Sequence, residues 1–506
     1  MNPLLRLLVT GDLHAQYSKT RYHNTQTILN TAQAIETLRN KDSLPTITLD
    51  LGDFMQGSIF STYSKDFLGD GGIFIKGMNA IGYDYQILGN HDFNEGANYY
   101  QKVFGQLNAK ILAANILSKT TGEPAYGPPY DMIEVGGVKI GIIGLTTSIV
   151  PAWENPQNIA GLTFLDAFEC LKKHMQSLRA QINILVVAYH GSLGDGSVED
   201  IENQGLRMLN ELEGIDILLT SHMHKNMNQF IGKSLVVQAG YGGEAVVEVL
   251  LNQDLTYSGQ TYLTHIFAES ERVRQDMEPE FSQVMQWKDA VVGELDLAMP
   301  YTDSFTSRLY GHPFLEMINQ IQLYETQADF SATTLINDTF QTFTGPISNE
   351  LLLEAFPFHN NIAKIALSGL DLKAALEHNF SYFHYQEGAI VAPNEREGER
   401  PSYLNYDIYS GLELGVDFSK AAGSRLMEVK DKRTQRAIVD DQVYTLALSQ
   451  FRASGGRGYE AWFNVDRIQS ISNASLLDLV RAFVKGDIKL DMASINQHYC
   501  QMAREP

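Results

Sequence analysis

The chain has 506 residues, more than one ordinary domain, and its 44% apolar and 19% charged content is that of a globular protein with a sizeable core. Its 38 Lys and Arg against 60 Asp and Glu give a net charge of −22, which disfavours long nucleic acids and membrane surfaces as partners. Two cysteines, Cys170 and Cys500, outside any C-x-x-C pair, exclude a disulfide framework, and no run reaches the roughly 18 apolar residues that span a bilayer.

The first apolar run, residues 4–9, leads into Gly11-Asp12-Leu13-His14. With no small-residue cleavage site before those polar groups, it reads as a first strand, and the protein as cytoplasmic. Residues 25–38 carry Ile28, Leu29, Ala32, Ile35 and Leu38 at helical spacing. The run 46–51 ends in Gly52-Asp53, a helix is expected over 72–81, and the run 85–88 ends in Gly89-Asn90-His91-Asp92. Further helices are expected over 97–107, 165–178 and 201–212, with a strand over 139–146. The run 182–188 precedes Tyr189-His190-Gly191, and the run 215–220 precedes Ser221-His222-Met223-His224. Strands over 234–240 and 245–251 close the pattern. Alternating strands and helices predict an α/β sandwich, with antiparallel pairing where connections are short.

Residues 269–297 are charged and weakly amphipathic and read as a helix connecting two domains. Beyond residue 300 strand and helix patterns mix, and 392–402 is a loop rich in Pro, Glu and Arg, as expected of an α+β domain. The expected organisation is a domain over 1–270, a linker helix over 271–300 and a second domain over 301–506.

Each polar motif alone is weak: D-x-H arises by chance, G-N-H-D can be a capped turn, and a lone His190 can be a satisfied core histidine. Five of them at strand ends are another matter. Asp12 and His14, two apart, are expected on one face of a strand end, and His222 and His224 repeat the device. Asp53 after Gly52 presents a carboxylate, Asn90 a carboxamide oxygen and His190 an imidazole. Mixed nitrogen and oxygen donors without thiolate suit Mn, Fe, Co, Ni or Zn better than Mg or Ca. Two such ions about 3.5–4 Å apart, bridged by a carboxylate and a hydroxide, are what phosphate-ester hydrolysis needs near neutral pH. His91, next to Asn90, is placed to serve the leaving oxygen.

In this order, the motifs resemble those of the calcineurin-type metallophosphoesterases, with Ser221 where that family has glycine. The resemblance implies a four-layer αββα sandwich. It implies one metal held by Asp12, His14, Asp53 and His224 and another by Asp53, Asn90, His190 and His222, with His91 catalytic. Over nearly the whole chain the sequence is similar to the two-domain nucleotidases, whose C-terminal α+β domain stacks a nucleobase between two aromatic rings. Pro401–Asp407 resembles one ring's loop, implying Tyr403 as a stacking ring and Asn405 as a hydrogen-bonding partner. Residues 451–459 resemble the other, implying Phe451. Stacking is worth roughly 1–3 kcal/mol per base and tolerates any base.

Several positions depart from the 5′-nucleotidases. Asn94 stands where they carry an aspartate that orients the catalytic histidine. Gln56-Gly57-Ser58 looks like the cyclic phosphodiesterase branch, residues 332–338 lack arginines, and Arg457 replaces a ribose-binding aspartate. The expectation is a dimetal 2′,3′-cyclic-nucleotide 2′-phosphodiesterase/3′-nucleotidase acting on small nucleotides. The alternatives are a 5′-nucleotidase or nucleotide-sugar hydrolase and, more remotely, an idle nucleotide-binding protein.

Overall fold

The computed structural model describes residues 2–19, 25–301, 303–336, 342–356, 360–393, 402–456 and 458–497, with the side chains of Ser402 and Tyr403 outside that set. The chain divides into two compact units, Met1–Trp287 and Lys288–Pro506.

The first unit's strands are β1 (Pro3–Thr10), β2 (Thr46–Asp50), β3 (Tyr85–Gln86), β4 (Lys110–Ile111), β5 (Ile116–Ser118), β6 (Tyr130–Val135) and β7 (Val138–Thr146). They continue as β8 (Leu162–Phe164), β9 (Ile184–His190), β10 (Ile217–Thr220), β11 (Asn226–Ile231), β12 (Ser234–Ala239), β13 (Ala245–Asn252) and β14 (Tyr257–Leu263). One six-stranded sheet runs β14-β13-β1-β2-β3-β4 and another β11-β12-β10-β9-β7-β6. The centre of each is parallel: β1, β2 and β3 in the first, β7, β9, β10 and β12 in the second. The pairs β13–β14, β11–β12 and β6–β7 are antiparallel, because their connections are too short for a crossover.

Period-2 alternation sorts the side chains. Leu5, Leu7 and Val9 of β1 share a buried core with Ile140, Ile142, Ile184, Val186, Ile217 and Leu219 of the second sheet, so the two sheets pack face to face. The intervening residues Ile143, Leu145, Leu185, Val187 and Tyr189 point outward, onto Phe168, Leu171 and Met175 of the helix Ala167–Leu178. On the outer side of the first sheet lies Arg6, paired in the interior with Glu248 at 2.6 Å. A buried charge is tolerable there only because it is matched.

Helix starts follow capping chemistry. The first helix, Ile28–Arg39, begins after Thr27, whose hydroxyl accepts from Leu29 N while Asn30 Oδ1 accepts from Thr27 N. The linker helix expected over 271–300 is absent as such. Pro279 cannot donate to a helical ladder and disfavours helix at the residue before it, so the segment forms two short helices, Glu271–Asp276 and Glu280–Lys288. It then forms a strand, Val291–Leu295, paired with Gly345–Ser348 of the second unit. Among the described residues no helix is long and apolar enough to cross a membrane.

The second unit is α+β. Its five-stranded sheet runs, in space, Asp407–Ser410, Phe330–Thr334, Val443–Ser449, Asn361–Ser368 and Ile468–Ser475. Only Phe330–Thr334 and Val443–Ser449 are parallel neighbours. Helices Pro313–Thr326, Gly369–Phe380 and Leu476–Lys485 supply core residues such as Ile318, Leu376 and Val480.

Candidate metal centre

The C-terminal edges of the two sheets meet. His190, the last residue of β9, lies with Nδ1 2.7 Å from Leu51 O after β2, and Ser221 Oγ after β10 donates to Asp12 Oδ2 after β1 at 2.6 Å. Two groups of candidate ligands result. Asp12, His14 and His224 form one, and Asp53, His190 and His222 the other, each with ligand atoms within 4.8 Å of one another. In the first, His14 Nε2 and His224 Nε2 are 3.1 Å apart and each 4.0 Å from Asp12 Oδ1. In the second, His190 Nε2 lies 3.3 Å from Asp53 Oδ2 and 3.1 Å from Asn90 Oδ1. Asp53 Oδ2 is also 3.9 Å from His14 Nε2, so this one oxygen faces both groups.

The donor chemistry fits a cation pair. Among the described residues Asp12 Oδ1 is buried without a hydrogen-bond partner, although Oδ2 accepts from Ser221 Oγ and from His222 N at 2.8 Å. His14 turns Nδ1 to Gln56 O at 2.8 Å as His190 turns its own to Leu51 O, so in both rings the other nitrogen is left to bind metal. Burial lowers His14 to about 4, keeping it neutral and its lone pair available. Burial pushes the Asp12 carboxyl up to about 7, an excess of buried carboxylate that a divalent cation would compensate. Burial opposes charge on His190, yet Asp53 and Asp12 outweigh it and raise the ring to about 10, so a cation would bind there by displacing that proton.

The backbone is bent to this arrangement. Among the described residues, ten non-glycine positions have positive φ, and five are Asp12 (50°), His14 (48°), Asp53 (57°), His222 (74°) and His224 (55°). Such strain persists only where the surroundings enforce it, and it clusters at functional sites. It also corrects the sequence argument. Asp12 and His14 converge through left-handed turns beyond the end of β1, not by alternation along an extended strand.

Neighbouring groups fix the loops. Asp92 accepts from Asp53 N (2.9 Å), Gly89 N (2.8 Å) and Phe54 N (3.1 Å), while Asp53 Oδ1 accepts from His91 N (2.8 Å). The segment Gln56-Gly57-Ser58, read in the sequence as a mark of substrate branch, braces His14. Gln56 O meets its ring, Ser58 Oγ donates to Ala15 O at 2.6 Å, and a Cβ on Gly57 (φ 121°) would sit 3.0 Å from His14 Cβ and Nδ1. His91 Nδ1 lies 2.8 Å from Asn94 Oδ1. Sequence reasoning missed the clamping role of Asp92. It also missed Glu202, 3.1 Å from His222 Nε2, Tyr241, whose ring is 4.5 Å from that of His224, and Trp153, 5.9 Å from His222. Only Asp92 carried a signal, being part of the G-N-H-D run.

In the second unit, the loops holding Asn405 and Phe451 are laced together by Arg452. Its guanidinium donates to Leu404 O (2.6 Å) and Gly456 O (2.8 Å) and pairs with buried Asp407 (2.9 Å), and Tyr459 Oη donates to Asn405 O (3.0 Å). Phe451 is 39% exposed, a half-open ring and not a core residue. Asn405 Oδ1 has no partner among the described residues. The Tyr403 ring, Arg457, Asn337 and Asp338 lie outside the described residues.

Residues 5–226 match the calcineurin-like phosphoesterase family and residues 291–464 the 5′-nucleotidase C-terminal domain. A 2′,3′-cyclic-nucleotide 2′-phosphodiesterase/3′-nucleotidase from Yersinia enterocolitica is 23% identical over 90% of this chain and 81% of its own. A snake venom 5′-nucleotidase from Gloydius brevicauda is 25% identical over 90% and 82%. A solved Staphylococcus aureus structure, described as a candidate 5′-nucleotidase in complex with α-ketoglutarate, superposes with a TM-score of 0.84. It is 26% identical and covers 98% of both chains.

Proposed function

We propose, for a chain that belongs to the calcineurin-like metallophosphoesterases with a 5′-nucleotidase C-terminal domain, that it opens 2′,3′-cyclic nucleotides to 3′-nucleotides and then removes the phosphate. That it is a hydrolytic phosphoesterase of a family using a divalent metal pair follows from the family itself. The observation carrying the finer reading is the contact between His91 Nδ1 and Asn94. Asn94 is a neutral amide where the 5′-nucleotidases are expected to carry an aspartate.

In this reading Asp12, His14 and His224 hold one cation, Asn90, His190 and His222 the other, and Asp53 both. When bound, the cations supply Lewis acidity and neutralise charge on the phosphoryl oxygens. The chain's own residues do the rest. Asp92 holds the Asp53 loop in place, Gln56 and Leu51 fix the two imidazole rings, and His91 supplies a donor to the departing ester oxygen. Asn405 and Phe451, with Tyr403, recognise the base, stacking being indifferent to its identity.

The rival reading is a 5′-nucleotidase or nucleotide-sugar hydrolase, and its first half draws on the names of the snake venom and Staphylococcus relatives. A substrate panel with Mn-loaded protein separates the two. Turnover of 2′,3′-cyclic AMP and 3′-AMP above that of AMP is expected. Cleavage of AMP with the other two untouched would sink the cyclic reading.

A further inference from the structure

The amide of Asn94 has two ends, and the structure shows what decides which of them meets His91. Asn94 Oδ1 lies 2.8 Å from His91 Nδ1, while Asn94 Nδ2 donates to Glu154 Oε2 at 2.6 Å. A carboxylate accepts and cannot donate, whereas an amide can present either oxygen or NH2. With its NH2 committed to Glu154, Asn94 has only an acceptor left for the imidazole, so Nδ1 donates to it and Nε2 is the nitrogen left to face the ester oxygen. Turned the other way, the amide would set its own donor against the Nδ1 donor and lose the contact that orients the ring.

Glu154 is itself held for this task. It is buried, directly after the short helix Val150–Trp153. Its other oxygen accepts from Asn155 N at 2.6 Å and from Asn158 Nδ2 at 2.9 Å, and Asn158 Nδ2 also donates to Asn94 O at 2.7 Å. Both ends of the Asn94 residue, backbone carbonyl and side-chain amide, are therefore tied to one short segment some sixty positions along the chain.

We propose that Glu154 is a positioning residue that acts through Asn94 to fix the ring orientation of His91, with Nδ1 donating to the amide oxygen. The inference rests on the reading of His91 as the group serving the ester oxygen. A chain carrying asparagine in place of the orienting aspartate keeps the acceptor that an aspartate would supply, but only because a second carboxylate stands behind the amide.

The test uses full-length, metal-loaded protein and whichever of 2′,3′-cyclic AMP, 3′-AMP and AMP the wild type turns over fastest. Glu154→Ala should lower kcat about 10- to 100-fold, by analogy with the partners that orient metal-ligating histidines, with KM and metal content near wild type. The decisive variant is the double replacement Asn94→Asp with Glu154→Ala. An aspartate at 94 has only acceptors and needs nothing behind it, so the double variant should recover kcat to within about threefold of wild type. A purely structural role of Glu154 predicts no such rescue. Folded Glu154→Ala with undiminished kcat, or a double variant no faster than the single one, overturns the proposal. His91→Asn separates the two readings. Full turnover there refutes the role of His91 and this inference with it, whereas loss there beside an unimpaired Glu154→Ala refutes this inference alone.

Discussion

The candidate metal ligands of the first unit sit on strained backbone, five of them at positive φ, held by hydrogen bonds from neighbouring loops. The aromatic loops of the second unit are held instead by one buried ion pair, Arg452 with Asp407, which ties together the stretches bearing Asn405 and Phe451. The first arrangement distributes its restraints. Asp92 alone accepts three backbone donors, and Gln56, Leu51 and Ser221 each fix a different ligand. The second gathers most of them on a single guanidinium, with Tyr459 Oη adding a hydrogen bond to Asn405 O. Metal chemistry demands donor atoms placed to fractions of an ångström, and many weak ties achieve this. A ring proposed to stack on a base tolerates more play, so fewer ties suffice.

That contrast can be broken by mutation. Arg452→Met leaves Asp407 buried and uncompensated, and removing one partner of a buried pair costs about 3–5 kcal/mol. A fall of several degrees in the unfolding transition assigned to the second unit is expected by calorimetry, with the metal content of the protein unchanged; a transition within a degree of wild type would show the pair to be dispensable. Gly57→Ala presses a methyl against the His14 ring at a φ that disfavours alanine. Metal affinity should drop about 10- to 100-fold by competition with a chelator, as for other disturbed partners of a ligand. Unaltered affinity would mean that the Gln56–Ser58 brace does not matter to the ligand. The smallest effect belongs to Gly456→Ala, whose Cβ would lie 2.6 Å from the Phe451 ring. It should raise KM for nucleotides a few-fold, within the roughly 1–3 kcal/mol of a stacking contact, while p-nitrophenyl phosphate hydrolysis stays the same. Equal effects on both substrates would take Phe451 out of base recognition.

Legibility in the sequence followed the same division. Asp12, His14, Asp53, Asn90, His190, His222 and His224 stood out in the sequence because five polar motifs, each weak alone, follow apolar runs, and the structure brings these residues to one rim. Their mode of convergence was hidden, since left-handed φ leaves little trace in residue type beyond the tolerance of Asp and His for it. Glu154 and Glu202 sit in loops where a glutamate means nothing until the chain has folded. The helix over 271–300 failed on a residue in plain view, Pro279, whose effect outweighs amphipathic spacing. In the second unit, Phe451 and Asn405 are types that also fill ordinary cores and turns, so only family resemblance singled them out.

The central claim, that two cations share Asp53, is tested most directly by the metal content of purified protein after loading with excess Mn and removal of free ion. The account predicts about two ions per wild-type chain, the number a dinuclear phosphoesterase site holds, and loss of tight binding at both positions in Asp53→Asn. Two tightly held ions in that variant, or a single ion in the wild type, would contradict it.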